Sequence, residues 1–286
     1  MISIIIPHKK GIPYIKDAFD SIKDLTYKDY ETILVVDHSE DDLSEVIAKY
    51  KDVINLRVFY LDEKSGCASA RNLGLDEAKG DYIFFLDSDD YFFGDYLGKM
   101  VALMDDNTDI VYSDFKRTWF RRGVYKESQA NYDEKKKEAI SLRKVQKEFD
   151  FNDVHDFMIN RNKRMETVSV LGCLYKKSLF ADNNIRFDDD LHFFIDAAVF
   201  MKLYTNAAGI KPCEGTTYIK RYHNDKESLA VGCSAYNWQA MLYRVRTRTA
   251  RCGSSKNSVR NRCPACIPRR EFCRRRRVRS VRDPLS

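Results

Sequence analysis

Gly80-Asp81-Tyr82-Ile83-Phe84-Phe85-Leu86-Asp87-Ser88-Asp89-Asp90-Tyr91 is the stretch that decides the fold. Tyr82 to Leu86 is apolar without polar alternation, the pattern of a strand covered on both faces, as in a parallel sheet. It stops at three carboxylates within four residues. Such carboxylates repel one another unless a cation sits among them. Oxygen-only ligands at a strand end suit Mg²⁺ or Mn²⁺, which would also hold a diphosphate. The same residues also suit a solvated turn with Asp as the N-cap of the next helix. Taken alone, the segment leaves both readings open.

Working outward, the same grammar repeats. Ile2 to Ile6 is a β-branched run ended by Pro7, Thr32 to Val36 is ended by Asp37, and Leu56 to Leu61 and Asp109 to Tyr112 are further strands. Between them, helical spacing predicts helices over Tyr14–Leu25, Asp42–Tyr50, Ala68–Ala78 and Tyr96–Met104. Gly80 suits a C-cap for the third of these. Strand and helix in alternation imply an α/β fold with a mostly parallel sheet. Ligands bind at the carboxyl ends of such strands, which places Pro7, Asp37 and residues 87–90 along one edge.

Two residues near that edge carry a functional and a plain reading. Asp37 can accept hydrogen bonds from a ribose or base, or close a turn. Arg71 follows the small residues Gly66 to Ala70 at a helix start, which suits a nucleotide phosphate or base, or a cap with a surface salt bridge. Further on, order returns over Met165 to Ala181, Ile185-Arg186-Phe187 is a short strand, and Phe193 to Asn206 is a buried helix. Asp196 lies in that apolar helix. A buried carboxylate is paired or functional, and a general base is one such use. Thr216 to Tyr222 alternates like an edge strand and leads into His223-Asn224-Asp225, a polar turn or a site. The charged segment Glu127 to Lys147 is an excursion or a solvated helix.

The formal net charge of +6 describes no part of the chain. Residues 1–243 carry 34 basic and 41 acidic side chains, whereas residues 244–286 carry 15 basic and 2 acidic ones. The overall basicity is therefore no argument for an anionic partner of the whole protein. Hydrophobic content of 44% and aromatic content of 13% exclude a disordered body. The longest apolar runs are a few residues, against about 20 for a membrane-spanning helix. Met1 leads straight into strand residues without a signal-peptide pattern. The expectation is a cytoplasmic protein, with peripheral association at the inner membrane face as an option. The widely spaced Cys67, Cys173, Cys213 and Cys233 suit reduced thiols. The tail holds 14 Arg and one Lys, with Cys252, Cys263, Cys266 and Cys273. It reads as a poorly structured segment, as out-of-frame or foreign sequence, as a zinc site around Cys263 and Cys266, or as a nucleic-acid or anionic-membrane arm. Of these, out-of-frame or foreign sequence is preferred.

Together these residues resemble the inverting GT-A glycosyltransferases of family 2. The likeness is carried by Ile4-Ile5-Ile6-Pro7 with Tyr14, by Ile33 to Asp37, by Ser65-Gly66 with Ala70-Arg71-Asn72, and above all by Gly80 to Tyr91. Leu174 to Phe180, Asn184 to Phe187 and the Asp196 helix are similar to transferases of bacterial wall teichoic acid and related surface polymers. The resemblance spans roughly residues 1–230. It implies a GT-A domain over 1–240, with a nucleotide-binding half of about 1–115 and an acceptor half of about 116–240.

The resemblance also implies roles. Asp89 would coordinate Mn²⁺ or Mg²⁺, and Asp87 would contact the ribose and the metal. Pro7, Asp37, His38, Arg71, Asp87 and Ser88 would line the site of a nucleotide-diphosphate sugar, a UDP-sugar first. Asp196 would be the catalytic base, and His223 and Asp225 would lie on the acceptor side. The acceptor would be a hydroxyl of a surface polymer or lipid-linked precursor, and nucleic acid is not an expected partner. Four positions depart from the family pattern: Lys9 and Lys10 stand where Tyr-Asn is usual, His38 where a second Asp is usual, and Ile195 where Glu precedes the base. A truncated, non-catalytic remnant that binds nucleotide is the alternative; a nucleic-acid-binding protein, resting on the tail alone, is a third.

Overall fold

β1 (Ile2–His8) and β2 (Tyr30–Asp37) are buried along their length, with only Pro7 partly exposed. Their unbroken apolar runs follow from that position, since both faces are covered. They pair in parallel, Ile2 opposite Tyr30 through His8 opposite Val36. β3 (Leu56–Leu61) continues the parallel sheet beyond β2, and β4 (Tyr82–Phe85) joins β1 on the other side. The chain thus runs outward from β1 to β3 and then returns to the opposite flank of β1. That reversal is the switch point where open α/β sheets hold ligands.

Pro7 shows how the cleft opens. The Leu86 N–H donates to the Ile5 carbonyl at 3.1 Å, so odd-numbered residues of β1 turn their backbone groups toward β4. The last paired residues are Ile5 and Phe85. At Pro7, β4 has turned away, so the missing N–H breaks no ladder bond.

The computed structural model describes residues 1–63, 65–93, 95–118, 169–191, 195–221 and 279–280, all within one compact unit formed by Met1–His223 and Val278–Ser286. The expectations for Glu127–Lys147, Met165–Val168, Phe193-Phe194, His223–Asp225 and the tail other than 279–280 lie outside the described residues. The remaining elements are α1 (Ile12–Lys23), α2 (Ser44–Tyr50), α3 (Gly66–Glu77), β5 (Tyr91–Phe93), α4 (Tyr96–Val101), β6 (Ile110–Thr118), β7 (Cys173–Lys176), α5 (Lys177–Asp182), α6 (Ile195–Asn206), β8 (Ile210–Arg221) and β9 (Arg279–Ser280). They give one sheet in the order β5-β8-β6-β7-β4-β1-β2-β3-β9. β7 is antiparallel to both β4 and β6, β6 and β8 are parallel, and β5 and β9 cap the two edges antiparallel. Among the described residues no helix is long and apolar enough to cross a membrane. Cys67, Cys173 and Cys213 are reduced, in no disulfide.

Four local expectations change. The first strand runs through Pro7 to His8. β8 begins at Ile210 and is not an edge, because β5 pairs with its far side. Ile185–Phe187 is not a strand. Its backbone is held otherwise, with the Ile185 N–H donating to the Phe180 carbonyl at 2.9 Å and the Phe187 N–H to Asn72 Oδ1 at 3.0 Å. Gly80 is not the helix cap. α3 ends at Glu77, and Ala78 is the cap in an extended conformation. Gly80 is small for a different reason. A Cβ there would lie 2.7 Å from the Met1 carbonyl oxygen and 2.7 Å from the Ser3 nitrogen, backbone at the start of β1.

Candidate functional site

Asp37 ends β2 and reaches across to the start of α3. Its Oδ1 accepts the Ser65 N–H at 2.8 Å and its Oδ2 accepts the Gly66 N–H at 2.9 Å. These are unsatisfied donors of a helix N-terminus. A carboxylate there both satisfies them and favours the helix dipole. Asp37 thereby fixes α3, and α3 carries Arg71 and Asn72.

Arg71 is buried, 3% exposed, rather than on the surface. Its guanidinium forks between two carboxylates. Nη2 donates to Asp87 Oδ1 at 2.8 Å and Nη1 to Asp196 Oδ1 at 2.5 Å. The planar fork of arginine is what allows one cation to serve two anions. Beneath it the Phe187 ring lies 5.3 Å from the guanidinium carbon. Asn72 holds that segment with its amide, donating to the Phe187 carbonyl at 2.8 Å and accepting its N–H. The Arg-Asn pair thus works on two sides: Arg71 gathers the acids and Asn72 fixes the chain leading toward α6.

Asp196 sits in the first turn of α6, with its side chain 25% exposed. Its Oδ2 accepts the hydroxyl of Ser169 at 2.8 Å. Burial pushes its pKa up, but Arg71, Lys220 and the Ser169 hydroxyl outweigh burial and hold it below the usual carboxylate range. It is therefore ionised at neutral pH and able to take a proton.

The acidic loop is anchored from β8. Asp90 turns inward, accepting the Tyr218 hydroxyl at 2.9 Å and the Arg221 N–H at 2.8 Å. The Asp87 N–H donates to the Tyr218 oxygen at 3.3 Å. Oxygens of Asp87, Asp89 and Asp90 lie within 4.8 Å of one another. Burial, and then the charge of Asp89, push Asp90 well above the usual range. Such a crowded all-oxygen set fits a hard divalent cation, and with Asp90 turned inward, Asp87 and Asp89 are the residues that could hold one. Lys220 adds a positive charge. Burial alone would lower its pKa, but Asp90, Asp87, Asp196 and Asp89 raise it. β8 alternation puts Tyr218 and Lys220 on one face. On the other, Arg221 pairs with Asp17 of α1 at 2.8 Å. Burial pushes the Cys67 thiol up to about 12, so it is no thiolate nucleophile at neutral pH.

The remaining candidates are placed as follows. Pro7 lies on β1 just beyond its last residue paired with β4, and Ser88 is buried within the acidic loop. His38 is exposed and left-handed at φ 47°. It lines an open cavity of about 350 Å³ at the ends of β2 and β3 with Asp41, Ser44 and Tyr60. Asp37, Arg71, Asp87 and Asp89 do not line it. His223 and Asp225 lie outside the described residues. Asp87, Arg71 and Asp196 come together, and Asp37 joins them through α3. Ser169, Tyr218 and Lys220 were not anticipated. The alternation of Thr216–Tyr222 held a signal for the last two, and Ser169 had none.

A sheet built on the parallel strands β1 to β4 with a switch point, an acidic loop at it and a partly buried carboxylate opposite define a GT-A type fold. The solved structure of TarS residues 1–349 from Staphylococcus aureus, in complex with UDP-GlcNAc, superposes with a TM-score of 0.67 at 23% identity, covering 87% of this chain and 65% of that one. A mannosyltransferase from Pyrobaculum calidifontis, in complex with GDP-Man and Mn²⁺, superposes with a TM-score of 0.54 at 17% identity, covering 80% of this chain and 59% of that one. Residues 3–166 match the glycosyl transferase family 2 model, and the chain belongs to that family. Among curated relatives, the poly(ribitol-phosphate) β-N-acetylglucosaminyltransferase TarS of S. aureus is 27% identical over 247 residues, 85% of this chain and 39% of the relative. The uncharacterized glycosyltransferase EpsJ of Bacillus subtilis is 30% identical over 223 residues, 77% of this chain and 61% of the relative. The chain spans less than two thirds of the length of these curated relatives.

Proposed function

We propose that the protein transfers a sugar from a nucleoside-diphosphate sugar to a hydroxyl of a cell-surface polymer or its lipid-linked precursor, inverting the anomeric configuration. The observation that carries this reading is the Arg71 fork. It draws a loop carboxylate, Asp87, and a helix carboxylate, Asp196, into one site although they are far apart in sequence. One belongs to a cation-binding cluster suited to a diphosphate, and the other is an ionised base. UDP-GlcNAc is the first donor to test, given the TarS complex. In this reading the donor half is about residues 1–115 and the acceptor half about 116–240. The work is cytoplasmic, with peripheral contact at the inner membrane face.

In this reading Asp196 takes the acceptor hydroxyl proton as that oxygen attacks the anomeric carbon. The new carbon–oxygen bond forms on the face opposite the breaking bond to the β-phosphate. The nucleoside diphosphate leaves with the electron pair, and Asp196 keeps the proton. Lys220 places a fixed positive charge beside the developing anion. Held by Asp87 and Asp89, Mn²⁺ or Mg²⁺ would supply Lewis-acid neutralisation of the departing diphosphate.

The test is turnover by the whole chain of UDP-GlcNAc with poly(ribitol phosphate) and Mn²⁺, read as UDP release and as the anomeric proton of the product. UDP release with a β-linked sugar is expected. An α-linked product contradicts inversion. No release returns the chain to a nucleotide-binding remnant, which Ile195 in place of the family's Glu favours.

A further inference from the structure

We propose that Ser169 is a positioning residue for Asp196, setting the plane of its carboxylate for proton abstraction; this rests on the reading of Asp196 as the base. Ser169 is 4% exposed and lies in the segment just before β7, remote in sequence from α6 and the acidic loop. Its hydroxyl donates to Asp196 Oδ2 at 2.8 Å, and its oxygen accepts the Leu171 N–H at 3.3 Å. A hydroxyl has one proton and two lone pairs. With a lone pair engaged by Leu171, the proton is directed at Asp196.

Arg71 alone grips a single oxygen of the base. The terminal torsion of an aspartate is broad and roughly two-fold, so one donor leaves the carboxylate plane free to turn. A second donor from an independent element fixes it. The two donors come from α3 and from the chain entering β7, and both bonds favour the charged form. Ile195 precedes Asp196, so the neighbouring position supplies no carboxylate. Ser169 and Arg71 provide the side-chain bonds to Asp196 among the described residues. Arg71 on α3 and Lys220 on β8 are the cations facing the base, Asp87 is a nearby anion, and the Cys67 thiol of α3 and the Tyr175 phenol of β7 also lie within its field.

The experiment compares Ser169→Ala, Ser169→Thr and Asp196→Asn with the wild-type chain, using UDP-GlcNAc, poly(ribitol phosphate) and Mn²⁺. Ser169→Ala should lower kcat about 10- to 100-fold with the donor KM unchanged. The acidic limb of its pH–rate profile should move to higher pH, because a bond to the ionised form is lost. Ser169→Thr keeps the hydroxyl and should restore most of kcat and the original limb. Wild-type kcat and pH profile in Ser169→Ala, with Asp196→Asn inactive, overturn the positioning role and leave the base reading standing. Loss of UDP binding in parallel with kcat marks a merely structural serine and also overturns it. Full turnover by Asp196→Asn removes the base, and the role of Ser169 with it.

Discussion

Asp196→Asn should cut turnover by about 10²- to 10⁴-fold, the range for loss of a positioned general base. Nucleotide binding should stay within about twofold of wild type, because the contribution of Asp196 arises as the acceptor proton moves rather than when the donor binds. The substitution is nearly isosteric. The Asn carbonyl can still accept from Arg71, and its amide can donate to the Ser169 oxygen, so the site keeps its shape while losing its basicity. The measurement is steady-state UDP release alongside a UDP binding isotherm. Wild-type turnover, or equal losses in binding and turnover, would count against Asp196 as the base.

Arg71→Met should be the most destabilising single change in the site. The Arg71 side chain is 4% exposed, and its removal leaves the Asp87 and Asp196 side chains, each 25% exposed, without their shared cation. Breaking a buried pair in this way costs about 3–5 kcal/mol, and the residual exposure of both acids puts the expected loss near the lower end. Arg71→Lys should recover only part of it, since a compact ammonium lacks the planar, preorganised fork that presents a separate nitrogen to each carboxylate. The pH dependence has a definite sign. With Arg71 present, the depressed pKa of Asp196 stabilises the fold above about pH 4 and that benefit fades as pH falls through the folded pKa. Without Arg71, burial and neighbouring acid charge oppose ionisation, so the deficit relative to wild type should grow from pH 4 toward neutrality. Urea unfolding at pH 4.5 and 7.5 measures it. A deficit that is larger at the lower pH contradicts the ion-pair account.

Much of this was legible in the sequence, for identifiable reasons. β1, β2 and β4 are read easily because full burial writes itself as continuous apolar runs. The acidic loop and Asp196 stand out because carboxylates are conspicuous beside Phe85-Leu86 and within Ile195 to Val199. What stays hidden is settled by long-range polar contacts. Ile185-Arg186-Phe187 has a strand's composition, but a side chain, Asn72, meets its backbone. Gly80 resembles a helix stop, while its smallness serves the approach of β1. β5 is three aromatic residues after an acidic turn and becomes a strand only through β8. Arg71 could be read as a surface cation because nothing local reveals that two acids converge on it. Ser169 is an ordinary small residue until α6 is folded against it.

The central claim is that Asp87 and Asp89 form a cation site that holds a nucleoside diphosphate beside Arg71 and Asp196. Its most direct test is the melting temperature of the whole chain with UDP, in Mn²⁺ and in EDTA, for wild type and Asp89→Ala. A ligand that binds only the native state at 100 times its Kd stabilises it by about 2.7 kcal/mol. The account predicts a clear rise for wild type with UDP and Mn²⁺ together, little in EDTA, and none in Asp89→Ala. An equal rise in all three, or no rise in wild type with Mn²⁺, would contradict it.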